Sequence, residues 1–210
     1  MLTKMLLRKL VSVAQGLTYV SSATSTGSTI VIPSDAAIGD LAILWDAAEN
    51  DPFSPSAVIP SGWTGMNNIA SYTTAIIART LTNRKNLVSG DPGATITGMN
   101  GNVSNRKLMV VLRPNIGIGS TATLNVAEEA IDTAPTDQVK STQTTPYVVI
   151  GGSYCDVAPA FSAAWYDQQF TNNNLLAGFK IFNSDPASIT INLSTYGTDN
   201  TLVSCSVTVT

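Results

Sequence analysis

The 210-residue chain contains no histidine. Without it, the Ser-His-Asp and Cys-His nucleophile systems, His-ligated zinc and the usual general base near pH 7 all drop out. Cysteine is nearly as scarce, since Cys155 and Cys205 alone cannot build a four-thiolate zinc or iron–sulfur site from one chain. One disulfide is conceivable and two buried free thiols are the commoner state, so cysteine leaves the redox compartment open. Charge is thin as well. Asp, Glu, Lys and Arg fill 12% of positions, about half the roughly 25% usual in soluble domains. The net charge of −3 attracts neither nucleic acid nor an acidic membrane, both of which call for clustered Lys and Arg. No apolar run approaches the roughly 18 residues of a membrane-spanning helix. The expectation is a protein without cofactor or metal, and with neither nucleic acid nor membrane as partner.

What the chain does have is 44% hydrophobic residues, ample for a sizeable core. Ser, Thr and Asn add about three positions in ten. From residue 17 onward, short apolar or alternating runs are separated by turn-formers. The runs are Leu17 to Val20, Thr29 to Ile32, Leu41 to Trp45, Ala75 to Leu81, Leu108 to Leu112, Tyr147 to Ile150, Ala177 to Phe182, Ile189 to Leu193 and Leu202 to Thr210. The turns include Ile38-Gly39-Asp40, Pro60-Ser61-Gly62 and Asp91-Pro92-Gly93. About ten strands with no helical period between them predict an all-β fold, an antiparallel, jelly-roll-like β-sandwich over residues 17–210. Leu41 to Trp45, Leu108 to Leu112 and Tyr147 to Ile150 are apolar on both faces, as strands covered on both sides are. No internal repeat is visible.

Residues 1–16 read differently, as a short arm or helix. Leu2, Met5, Leu6, Leu10 and Val13 follow helical spacing, and Lys4, Arg8 and Lys9 make the arm basic. Their apolar run is too broken for a secretory core, so the arm is read as retained. The remainder carries eight basic against fourteen acidic residues. Such an arm either packs across the sandwich or docks a partner, with Leu2, Lys4, Met5, Leu6, Arg8 and Lys9 as its contact residues.

Few segments suggest a site. Ile116-Gly117-Ile118-Gly119-Ser120 lacks the third glycine and the Lys-Ser/Thr pair of a phosphate loop and reads as a turn. The carboxylates at Asp46, Glu49 and Asp51, and at Glu128, Glu129 and Asp132, read as solvated loops rather than a facing acid pair. Arg84-Lys85 and Arg106-Lys107 read as solubilising charges at strand ends. Trp63, held by Pro60-Ser61-Gly62, reads as a core plug. Trp165, Tyr166, Asp167 and Gln168, where aromatics alternate with Asp and Gln, form the candidate glycan-contact set.

The stretch Gly16-Leu17-Thr18-Tyr19-Val20-Ser21-Ser22-Ala23-Thr24, then Ile38-Gly39-Asp40-Leu41-Ala42-Ile43-Leu44-Trp45-Asp46 and Val58-Ile59-Pro60-Ser61-Gly62-Trp63-Thr64, resembles a family of bacteriophage and prophage virion proteins. Its pattern is a Gly-Asp-Leu turn into a hydrophobic strand followed by a Pro-x-Gly-Trp-Thr corner. Arg106-Lys107-Leu108-Met109-Val110-Val111-Leu112-Arg113-Pro114 and the alternating C-terminal strand are similar to that family too. The resemblance covers most of residues 17–210 and leaves the arm outside. It implies a sandwich fold without catalytic residues, in a tail, fibre or head-decoration component. The expected function is therefore that of a non-enzymatic virion structural protein of the capsid-decoration type. It is expected to be assembled in the host cytoplasm, to form a homo-oligomer and to contact other capsid or tail proteins. The alternative is a tail or fibre adhesin that binds host-surface glycan.

Overall fold

The computed structural model describes residues 16–49, 58–72, 77–99, 106–115, 124–131, 138–140, 147–155, 158–161, 166, 168–182, 189–191, 193–195 and 200–209. These residues form strands joined by turns and contain no helix. The strands are β1 (Gly16–Ser25), β2 (Ile30–Val31), β3 (Leu41–Glu49), β4 (Thr64–Tyr72), β5 (Ile77–Asn86), β6 (Thr95–Ile96), β7 (Arg106–Asn115), β8 (Leu124–Ile131), β9 (Gln138–Lys140), β10 (Tyr147–Cys155), β11 (Ala160–Phe161), β12 (Gln168–Asn172), β13 (Leu175–Phe182), β14 (Ile189–Ile191), β15 (Leu193–Thr195) and β16 (Asn200–Val209). Ten of them build two five-stranded sheets, ordered β1-β7-β3-β5-β4 and β12-β13-β10-β16-β8, with every pairing antiparallel. The all-β antiparallel sandwich expected from the pattern is therefore the fold.

Alternation along β3 explains how the sheets stack. Leu41, Ile43, Trp45 and Ala47 point inward, joined by Leu108, Val110 and Leu112 of β7, and meet Leu175, Ala177 and Phe179 of β13 in the core between the sheets. Tyr19 closes one side of this core by stacking on Phe170 and Phe179 at 5.3 and 5.8 Å. The other face of β3, Ala42 and Leu44, packs with Met109, Val111, Trp63, Leu87, Ile30 and Ile96. Strands β3 and β7 are thus covered on both sides, which is why they read as unbroken apolar runs. The second sheet has an outer cluster of its own, Phe161, Leu176, Ile191 and Leu193.

The two halves of the chain repeat one plan that the sequence does not display. Numbering the sheet strands of each half from one to five, both sheets run first, fifth, second, fourth, third: β1-β7-β3-β5-β4, and β8-β16-β10-β13-β12. The ribbons repeat as well. β2 pairs with β6 and β9 with β14, joining in each half the connection before the second strand to the connection before the fifth. Among the described residues, the β11–β15 ribbon has no counterpart in the first half. Contacts between the sheets follow the same symmetry: β1 lies against β12 as β8 lies against β4, and β7 against β13 as β16 against β5. This is the pattern of an isologous interface, in which one patch packs against its own copy about a two-fold axis. The second strands of the halves meet there, where a Cβ on Gly152 would collide with the Trp45 indole.

The register also decides the cysteine question. On β10 and β16, Cys155 stands opposite Asn200 and Cys205 opposite Ile150. Five residues of strand, about 17 Å, separate the two positions. A disulfide needs Cα atoms within about 4.4–6.8 Å, so these cysteines do not pair within the chain.

Candidate functional site

The layer over the outer face of the first sheet holds the ion pairs Arg113–Asp40, Lys85–Asp91 and Lys107–Asp46. Asp40 ends the turn that leads into β3, and its carboxylate, 2% exposed, accepts from the Ala37 N–H at 2.8 Å. It also receives the Arg113 guanidinium as a fork, Nε to Oδ1 at 2.9 Å and Nη2 to Oδ2 at 2.8 Å. Two nitrogens on two oxygens form the planar, directional pairing for which arginine is suited. The hydrogen bond to Asp40 and its charge raise the Arg113 pKa against the opposing effect of burial. The turn is tied to the next connection by Gly39 N–H to Leu87 O and Leu87 N–H to Asp40 O, both 2.8 Å.

A second pair staples the connection after β5. Lys85 Nζ donates to Asp91 Oδ1 at 2.7 Å and the Val88 N–H to Asp91 Oδ2 at 2.7 Å. Burial pushes the Asp91 pKa up, but the Lys85 and Val88 hydrogen bonds and the Lys85 charge together outweigh it and leave the carboxyl below its ordinary value of 3.8. A third pair lies deeper, where Lys107 Nζ sits 3.1 Å from Asp46 Oδ1 with the lysine side chain 0% exposed. Asp46 and Lys107 are directly opposite on β3 and β7, so the register itself brings them together.

These placements correct several expectations. Asp46 and Glu49 belong to β3, and Glu128 and Glu129 to β8 opposite Cys205 and Ser204, so they are strand residues and not loop carboxylates. Arg84-Lys85 and Arg106-Lys107 lie on β5 and β7, on either side of β3. Lys85 and Lys107 serve as ion-pair partners inside the outer layer rather than as solubilising charges. Trp63 is buried in the outer cluster, as a core plug should be. Gly62 before it has φ 78°, a left-handed turn conformation that glycine adopts without steric cost.

Trp63 also lines a pocket of about 230 Å³ together with Ser61, Lys85, Asp91, Thr95 and Thr97. The sequence gives the tryptophan but not the pocket, because the other walls come from three separate connections. Around it, Val31, Ile38, Val58, Ile59 and Val88 are 42–69% exposed. Of the glycan-contact set, Tyr166 is half-buried with its ring 6.1 Å from that of Phe161, and Gln168 is exposed on β12 opposite Phe179. Trp165 and Asp167 lie outside the described residues, as do Leu2, Lys4, Met5, Leu6, Arg8 and Lys9 of the arm. Among the described residues there is no group of three His, Cys, Asp or Glu able to hold a metal, and no helix long and apolar enough to cross a membrane. No family model matches the chain, and neither do the curated proteins or solved structures with which it was compared.

Proposed function

We propose that the chain is a non-enzymatic structural subunit of a phage particle, which decorates or reinforces the shell and acts through surfaces instead of a reaction centre. The observation that carries this reading is the set of exposed apolar side chains in the first half, Val31, Ile38, Val58, Ile59 and Val88, of which Ile38 and Val88 lie in turns held by the Asp40–Arg113 and Lys85–Asp91 ion pairs. Covering apolar surface yields roughly 25 cal/mol per Å². On a pre-ordered surface, little of that gain is spent on freezing loops. Binding that favours the assembled state then adds to particle stability by mass action.

A second support comes from the residues of the virion-protein resemblance. Asp40 of the Gly-Asp-Leu turn and Arg113 of the Arg113-Pro114 strand end pair with each other, and Trp63 of the corner packs under the same layer. The motif is thus a set of side chains that builds one surface.

In this reading the basic arm, with Leu2, Lys4, Met5, Leu6, Arg8 and Lys9, supplies attachment to other virion proteins. The test is rebinding of the purified chain to particles assembled without it. The full chain is expected to occupy them, and a chain lacking residues 1–15 to bind about tenfold or more weaker. Failure of the full chain to bind overturns the structural role, whereas full occupancy by the truncated chain removes the arm from it.

A further inference from the structure

We propose that the pocket beside Trp63 is a subsite for one neutral sugar ring. It goes beyond the structural role, because the pocket and the exposed apolar side chains are different parts of the outer layer. At about 230 Å³ the pocket falls below the roughly 300–1,000 Å³ of sites for drug-sized ligands, so it accommodates a single ring. One wall is apolar, from Trp63 with Ile32 and Ile96, and the facing groups are Ser61, Lys85, Asp91, Thr95 and Thr97.

The charge pattern selects among ligands. Lys85 and Asp91 neutralise each other at 2.7 Å, leaving no net charge to recruit an ion. A phosphate entering the pocket meets the Asp91 carboxylate, and a metal cation meets the Lys85 ammonium. A hydroxyl suffers neither conflict, since it can donate to the carboxylate and accept from the ammonium, which has two N–H donors beyond the one given to Asp91. A pyranose ring presents such hydroxyls along its rim and C–H groups on its face, and those C–H groups meet the small part of Trp63, 8% exposed, that borders the pocket. Both polar heads are already held, Asp91 by Val88 N–H and Lys85 by Asp91, so binding has little ordering to do.

The repeated plan gives a second, independent argument. In each half the connection into the third strand sends an aromatic residue onto the outer cluster: Trp63 before β4, and Tyr166 before β12, followed by the exposed Gln168. The aromatic–amide segment that sequence pattern alone marks as a glycan contact thus holds the place in its half that Trp63 holds in the other.

The test uses the full chain labelled with 5-fluorotryptophan, its Trp63 fluorine resonance assigned by Trp63→Phe. Neutral hexoses and N-acetylhexosamines are titrated into the millimolar range, with inorganic phosphate and calcium as ion controls. At least one sugar is expected to shift the Trp63 resonance saturably while the Trp45 resonance, in the core between the sheets, stays in place. Thr97→Phe narrows the pocket from an exposed position and should weaken the effect about tenfold or more at unchanged Tm. The proposal is overturned if no sugar moves the Trp63 resonance, if phosphate or calcium moves it equally, or if Thr97→Phe binds as the parent does. The readout is sugar occupancy, so its failure leaves particle binding untouched, and failure of particle binding leaves this result standing.

Discussion

A lysine with no exposed surface is costly unless an opposite charge lies within reach, and Asp46 holds that place for Lys107 at 3.1 Å. Removing either partner takes an opposite charge away from the other in a dry site. Asp46→Ala is therefore expected to cost about 3–5 kcal/mol in urea unfolding, whereas the double change Asp46→Leu with Lys107→Met should be near neutral or stabilising. Equal losses in the single and double variants would show that the pair contributes nothing through its charges. Asp91 offers a test in pH. Its folded-state pKa lies below the ordinary 3.8, so its ion pair contributes above that value and is lost as pH falls through the lower, folded one. The Tm of the parent should drop more steeply on acidification below about pH 3.8 than that of Asp91→Asn, and the two curves should converge in acid. Parallel curves would contradict the assignment.

At the scale of elements, β3 and β10 meet at a tightly filled position. Trp45 fills the space that the missing side chain of Gly152 leaves, and its buried Nε1 finds no hydrogen-bond partner among the described residues, so the fit is one of volume. Gly152→Ala should cost about 1–3 kcal/mol by overpacking. Combined with Trp45→Phe, the loss should be smaller than the sum of the two single changes in a double-mutant cycle. Strict additivity would mean the residues do not touch. How much of the fold was legible in the sequence follows from the same physics. All nine apolar runs overlap strands, and β3 and β7 were readable as doubly covered because both faces of each are apolar. β4, with Asn67-Asn68 in its middle, and β8, with Glu128-Glu129, lack the alternation that marks a strand; they are edge strands of their sheets, where one side has no neighbour to satisfy. The Asn173-Asn174 turn joining β12 to β13, with Asn173 at φ 52°, matches a tight hairpin but was not among the turns read from the sequence. For the site, Trp63 and the Gly62 turn were visible in sequence. Lys85 with Asp91 and Lys107 with Asp46 were not, because pairing across strands and loops depends on register, which composition does not encode.

At the scale of the molecule, a two-fold plan in a single chain explains why no repeat is seen in the sequence. A true two-fold interface must use the same residues on both sides, but two halves of one chain need not match, as Trp45 against Gly152 illustrates. Because β1, β3, β7 and β13 contribute to one core between the sheets, neither sheet buries its inner face alone. The account predicts one cooperative unfolding transition, with tryptophan fluorescence and circular dichroism coincident, whereas two separated transitions would mean independent halves. The same construction suits a subunit that works by presenting ordered faces, with the first half supplying exposed apolar side chains. The central claim is that this chain is a structural component of a particle. If the proposal holds, quantitative mass spectrometry of particles purified from cells that carry the gene finds the chain in them. The account predicts the chain in many copies, in fixed proportion to the shell protein, and its absence from purified particles would contradict it.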